Sequence, residues 1–355
     1  MRIAIVGAGN AGCITALHYH RYLEIDNEIV IYHSPEQHPI ERVGQGTVST
    51  PLELISATLD INWYDNPIDL TYKAGVLYEG WGNGSNFFHG SISMLGHFVP
   101  HKLSKAVLES GHFKVIEKTV TDPEEEIDAD VIFDCRGRHN RDKSNYDTLI
   151  NPLNSVLLYQ KEGRDPDLLH TRSVATPNGW TFVIPNKDSV SYGYLYNNTI
   201  TSKEDARKDF LDRFDLPNID GELTFENYVA KNMFVGDRTI LQGNRFGFIE
   251  PFEANALGIY QSVARQAWDG IFKIKDLSLC NLKIRIIMKE IETFILWNYR
   301  QGSKYDTPFW EYAKSLPFNP DETFNKIIHD PDSVPTGYGQ WAGWSFKQFK
   351  KHYQL

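Results

Sequence analysis

Lys73 lies in the run Tyr72-Lys73-Ala74-Gly75-Val76-Leu77-Tyr78-Glu79-Gly80-Trp81, an amine flanked by apolar and aromatic side chains. Such a lysine is either a snorkelling residue at a strand edge or an amine held out of water, where desolvation lowers its pKa toward reactivity. Glu253 closes the run Phe248-Ile249-Glu250-Pro251-Phe252-Glu253. A carboxylate there either caps the helix that begins near Ala256 or serves a reaction, orienting a reactant and removing a proton. A third pattern, Gly7-Ala8-Gly9-Asn10-Ala11-Gly12, has the GxGxxG spacing of a dinucleotide-binding turn. Gly7 permits the tight turn, Gly9 lets the backbone approach a pyrophosphate, and Gly12 allows close helix packing, with the helix N-terminus facing the anion. Alone that spacing is a weak signal; a strand before it and a helix after it make it informative.

Other reactive residue types carry less. His97 and His101 stand four apart, but Pro100 interrupts any helix that would align them and no third ligand is near in sequence. No metal site is expected, and both histidines read as loop residues. Cys135 lacks a marked His or Asp partner and reads as a small buried residue, not a nucleophile. Asn255 reads as a turn residue.

The elements that must position these residues follow from hydrophobic patterning. Arg2–Val6 reads as a buried strand, residues 11–22 as a helix and 28–32 as a second buried strand, completing a βαβ unit around the glycine turn. The second strand ends in His33-Ser34, where a ribose-binding Asp or Glu is usual; an imidazole or hydroxyl can still bond a ribose, or His33 is an exposed loop residue. Residues 130–134 form another buried strand, preceded by Glu124-Glu125-Glu126 as a solvated loop. Short alternating strands fill residues 155–196 and predict an antiparallel sheet. Residues 202–214, with Ser202 as N-cap, then Ala256–Phe272, 282–299 and Pro308–Ser315 read as helices.

A chain of 355 residues can bury a large core, in one composite domain or in two to three interleaved lobes, and no linker or repeat separates them. Its 36 basic residues against 46 acidic ones give a net charge of -10 with no basic stripe, which argues against nucleic acid. The odd set Cys13, Cys135 and Cys280 fits reduced thiols. The apolar start Ile3-Ala4-Ile5-Val6 is too short for a signal peptide or a membrane span, so a soluble, cytoplasmic protein is expected.

Taken in order, these segments resemble the flavin-dependent halogenase family, best known for tryptophan halogenases. Arg42-Val43-Gly44-Gln45-Gly46-Thr47-Val48-Ser49-Thr50-Pro51 is similar to the family's RIGVGEATVP strap over the flavin, with Thr47-Val48-Ser49 in place of Glu-Ala-Thr. The Tyr72 to Trp81 run looks like (F/Y)KxxxxFxxW, which puts Lys73 on the catalytic lysine. Residues 129–137 resemble the ADxxIDCSG element near the flavin, and Gly179-Trp180-Thr181-Phe182-Val183-Ile184-Pro185 resembles WxWxIP with Phe182 for the second Trp. Residues 243–253 look like GLAxxFLEPLE, whose last Glu, Glu253 here, is the second catalytic residue. Tyr299 and Asp306-Thr307-Pro308-Phe309-Trp310 are similar to HYRxxxRDDSPFW.

The resemblance implies an α/β (α+β) fold of the three-layer FAD/NAD(P)-binding type, with an inserted antiparallel substrate sheet and a helical C-terminal lobe. The expected parts are 1–150 with 230–275 for FAD, 151–229 for the substrate sheet and 276–355 for the lobe. It implies flavin contacts from Gly7, Ala8, Gly9, Asn10, Ala11, Gly12, Arg42, Asn244 and Ile259, and a barrier of Trp180 and Phe182 between flavin and substrate. Reduced FAD (FADH2) and dioxygen would convert halide to hypohalous acid, which Lys73 and Glu253 aim at an electron-rich, indole- or tryptophan-like ring. A separate NAD(P)H flavin reductase is an implied partner; a homodimer stays open.

Two departures bear on the chemistry. The family follows its Glu with Ser-Thr-Gly, whose amides hold halide; here Ala254-Asn255-Ala256-Leu257 precedes Gly258, and the halide site survives only if Leu257 and Gly258 present their N–H groups. The chain is also shorter than typical members in the helical region around the substrate, so free tryptophan is not assumed. A flavin-dependent aromatic monooxygenase is the first alternative, favoured if halide is not held. A catalytically silent flavin- or phenol-binding protein is the second.

Overall fold

Ile3, Ala4, Ile5 and Val6 leave the first strand without a polar face, a pattern stable only where a parallel sheet is covered on both sides. The computed structural model describes residues 1–23, 27–35, 43–62, 64, 66–273 and 275–355, and there Arg2–Val6 lies inside a six-stranded sheet. The strand order is Phe234–Val235, Thr239–Leu241, Val131–Asp134, Arg2–Val6, Glu28–His33, Lys114–Glu117, parallel except for the first pair. Helix Asn10–Tyr22 leads from the first strand and packs against helix Ala256–Phe272, with the Tyr19 hydroxyl donating to the Ala264 carbonyl at 3.2 Å. A three-stranded antiparallel sheet of Gly247–Phe248, Tyr228–Ala230 and Tyr146–Thr148 adds a further layer.

These elements belong to one compact unit, Met1–Thr71 with Phe98–Leu149 and Asn227–Ile286. The other unit comprises Tyr72–His97, Ile150–Glu226 and Ile287–Leu355. Its sheet runs Gly221–Thr224, Ser155–Glu162, Ser189–Tyr196, Gly179–Pro185, Thr171–Thr176, Thr71–Glu79, Phe87–Phe98. The antiparallel pairing expected for residues 155–196 is present, but the sheet is mixed, because Thr71–Glu79 joins Thr171–Thr176 in parallel. That pairing also draws residues 72–97 into this unit, whereas the sequence division had them in the FAD part. Residues 287–355 likewise group with the sheet and not as a lobe of their own.

Local differences have local causes. The helix read from residue 282 begins five residues earlier, as Leu277–Arg300, and helices Glu322–His329 and Gly343–Tyr353 were not anticipated. Glu124-Glu125-Glu126 is not a solvated loop. Pro123–Glu126 forms a short helix capped by Asp122, Glu124 pairs with Arg238, and the Asp122 backbone N–H and Thr121 hydroxyl hold the Glu126 carboxyl well below its usual range. Among the described residues no helix is long and apolar enough to cross a membrane.

Candidate active site

The glycine turn has the stereochemistry its spacing predicts. Gly7 sits at φ 108°, and a Cβ there would lie 2.7 Å from the Cys135 carbonyl oxygen; one at Gly12 would lie 1.9 Å from the Gly7 oxygen. A Cβ at Gly9 would meet nothing within 4 Å, so the space before it is open. Gly9 is the N-cap of helix Asn10–Tyr22 and supplies no capping side chain, leaving first-turn N–H groups for another acceptor. Asn10 Oδ1 is buried without a hydrogen-bond partner. Open space, uncapped amides and an orphaned amide oxygen fit a dinucleotide pyrophosphate and its sugars.

The other expected flavin contacts vary in what they show. Arg42 lies outside the described residues. Asn244 is in the turn Gly243–Arg245, its side-chain oxygen accepting from Tyr260 at 2.9 Å and its carbonyl from Tyr228 at 2.6 Å. Ile259 is buried in the first turns of helix Ala256–Phe272, and the Ala8 carbonyl accepts from the Cys13 thiol at 3.2 Å. His33 is not an exposed loop residue: it ends strand Glu28–His33, half-buried. Cys13, Cys135 and Cys280 are buried and form no disulfide, and burial together with the Asp134 charge pushes the Cys135 thiol up, as suits an inert residue.

Asn255 is the N-cap of helix Ala256–Phe272, and its side chain makes no cap bond. Before it, Glu253 (φ 63°) and Ala254 (φ 54°) are consecutive non-glycine residues in the left-handed region. Each costs on the order of 1–2 kcal/mol, and such strain concentrates where a site dictates the backbone. Buried Phe252 and Asn255 flank the turn. Leu257 and Gly258 fall in the first turn of the helix, while Ile259 N–H already bonds the Asn255 carbonyl. Their own N–H groups therefore have no intrahelical acceptor.

Lys73 belongs to the second unit and is 4% exposed, on a strand whose neighbouring Tyr72 is 50% exposed. This rules out the snorkelling alternative. Trp81 beyond the strand is fully buried and donates to the Ser173 carbonyl at 3.1 Å. His97, expected in a loop, is the penultimate residue of strand Phe87–Phe98 and fully buried. Its Nε2 is 2.8 Å from the Thr171 hydroxyl, and its Nδ1 has no hydrogen-bond partner. Burial, then the charges of Lys73 and His170, hold this imidazole well below its ordinary pKa. His101 sits in helix Pro100–Glu109, which starts with Pro100 where no N–H is needed, and no metal-binding group occurs among the described residues.

Trp180 and Phe182 point the same way along buried strand Gly179–Pro185, their rings edge to face at 6.3 Å. Trp180 Nε1 donates to the Tyr299 hydroxyl at 3.0 Å, and its ring lies 6.3 Å from Trp81. Phe182 pairs across the sheet with Gly193, where a Cβ would fall 2.0 Å from the phenyl ring. One unit thus holds Lys73, Trp180 and Phe182; the other holds residues 7–12, Asn244, Glu253, Leu257, Gly258 and Ile259. Sequence reasoning missed Thr171 and the burial of His97, since nothing in either local run marks a partner some seventy positions away.

A family model described as "Tryptophan halogenase" matches residues 2–113 and 99–332. Tryptophan 7-halogenase KtzQ of Kutzneria sp. (strain 744) is 26% identical over 168 residues, 45% of this chain and 30% of that protein. Tryptophan 7-halogenase RebH of Lentzea aerocolonigenes is 26% identical over 210 residues, 54% of this chain and 39% of that protein. The matches span well under half the length of either relative. The crystal structure of a tryptophan halogenase from Shewanella frigidimarina NCIMB 400 superimposes with a TM-score of 0.81 at 16% identity, covering 100% of this chain and 89% of that one, a likeness of fold.

Proposed function

The chain belongs to the tryptophan halogenase family, and from that premise we propose that it halogenates an electron-rich aromatic substrate, indole- or tryptophan-like, using FAD, dioxygen and halide. The observation that carries the reading is Lys73, a lysine buried on the strand leading to Trp81. Burial of an amine without a task is costly, and a desolvated amine can hydrogen-bond a small electrophile.

Reduced FAD, when bound, supplies with dioxygen the two-electron oxidation that turns halide into hypohalous acid. Residues 7–12 hold the pyrophosphate through the open face at Gly9 and the uncapped helix N-terminus, with Asn244 and Ile259 as further contacts. The N–H groups of Leu257 and Gly258 are suited to halide, because the first turn of a 17-residue helix favours an anion. Lys73 orients the electrophile toward the ring, and the Glu253 carboxylate helps to remove the ring proton once the carbon–halogen bond has formed. Trp180 and Phe182 exclude water and keep the oxidant from escaping. FAD reduction is assigned to a separate NAD(P)H-dependent reductase.

The test supplies reduced FAD, oxygen and bromide with a panel of indoles, and follows products by mass spectrometry. Brominated product, with free hypobromite scavenged, is the expected result. Hydroxylated product with substrate-stimulated NADPH oxidation would replace this reading with a monooxygenase.

A further inference from the structure

His97 has no part in the lysine–glutamate chemistry, yet it is fully buried and reaches from strand Phe87–Phe98 to Thr171 across strand Thr71–Glu79, which carries Lys73. A buried imidazole with an unbonded nitrogen is an unfavourable way to fill a core, since the unsatisfied polar atom loses its hydration without compensation. A Leu or Phe would fill the position without that cost. We propose that His97 is a positioning residue for Lys73, its uncharged imidazole fixed by Thr171 and walling the lysine amine with a polar but neutral surface.

The geometry gives the side chain one anchor and one open function. Thr171, first residue of strand Thr171–Thr176, fixes Nε2 at 2.8 Å and so sets the plane of the ring. Nδ1 is left without a partner among the described residues. The charged or titratable groups acting on the ring are Lys73 from strand Thr71–Glu79 and His170 beside Thr171. His170 in turn feels Arg172, Glu79 and Asp165. Burial, and then the charges of Lys73 and His170, disfavour a proton on His97. The ring is thereby held in its neutral form, and Lys73 is shut away from bulk water.

The inference rests on Lys73 being the reacting amine, but its test reads Lys73 directly. In ligand-free protein carrying 13Cε-labelled lysine, the Lys73 signal is identified by its absence in Lys73→Gln, and its titration is followed by NMR. His97→Ala admits water and should raise the Lys73 midpoint by about one pH unit, while His97→Arg adds a cation and should lower it by a similar amount. His97→Gln keeps a neutral group that can reach Thr171, and should leave the midpoint where it is in the parent. In the halogenation assay His97→Ala should lose roughly tenfold in kcat with KM nearly unchanged, and His97→Gln should recover most of it. If His97→Ala does not fold, the contrast between Gln and Arg decides. No shift in any variant, or equal shifts in all, would overturn the role of His97. A parent enzyme that makes no organohalogen would instead sink the proposed function, while the titration series would still stand.

Discussion

At the scale of single residues, the division of labour proposed for Lys73 and Glu253 has a measurable signature. Lys73→Ala should leave FAD binding and oxygen consumption nearly intact and abolish organohalogen product, because the proposed mechanism makes the oxidant without the lysine. Glu253→Gln should slow product formation by roughly a hundred- to ten-thousand-fold yet leave some, the usual worth of one positioned carboxylate. Full halogenation by Lys73→Ala, measured with hypohalite scavenged, would dismiss the pair. Lys73 itself was legible in sequence only as a choice between two environments. Its 4% exposure settles the environment, and that depends on strands that the local run does not mention.

At the scale of elements, two turns carry the argument for binding. Gly9 has extended backbone (φ -69°, ψ -177°) that any residue can adopt, and its Cβ would meet no protein atom. Gly9→Val should therefore fold normally, with an unchanged melting temperature, while losing FAD retention on desalting; retained flavin would refute the assignment of residues 7–12. The left-handed pair Glu253-Ala254 invites the opposite experiment. Ala254→Gly relieves left-handed strain at some entropic cost, and should raise stability in urea by about 0.5–1 kcal/mol. A loss of stability would mean that the methyl group's packing outweighs the strain. The βαβ unit was readable because its signals are local: an apolar run, a glycine turn, a helix. The turn at Glu253 was not, since neither Glu nor Ala announces a positive φ.

For the whole molecule, each unit is built from three separated stretches of chain, so long-range contacts decide what sequence patterns cannot. Asp134 is one of them: its carboxylate, 3% exposed, accepts from Arg136 at 2.8 Å and from Arg245, 111 positions away, at 2.9 Å. Burial alone would raise its pKa, but the Arg136 hydrogen bond and the charges of Arg245 and Arg136 leave it lowered. A carboxyl depressed in the folded state stabilises fully above its unfolded pKa of about 4 and loses that contribution as pH falls through the folded value. Asp134→Asn should cost about 3 kcal/mol at pH 7, read by denaturant unfolding, and shrink the parent's advantage as pH falls below 4. An equal deficit at pH 7 and pH 2 would argue that the loss is one of packing. The same distance in sequence explains why the parallel pairing of Thr71–Glu79 with Thr171–Thr176, and so the membership of residues 72–97, could not be read in advance. Phe182 and Gly193 face each other across neighbouring strands, much closer in sequence. For a lineage accumulating substitutions, the ring at 182 can grow or shrink only while position 193 stays bare, and any side chain at 193 must wait for the aromatic to leave. The two sites are thus a ratchet on inheritance: the order in which they change, not just the pair of residues reached, decides which descendants fold.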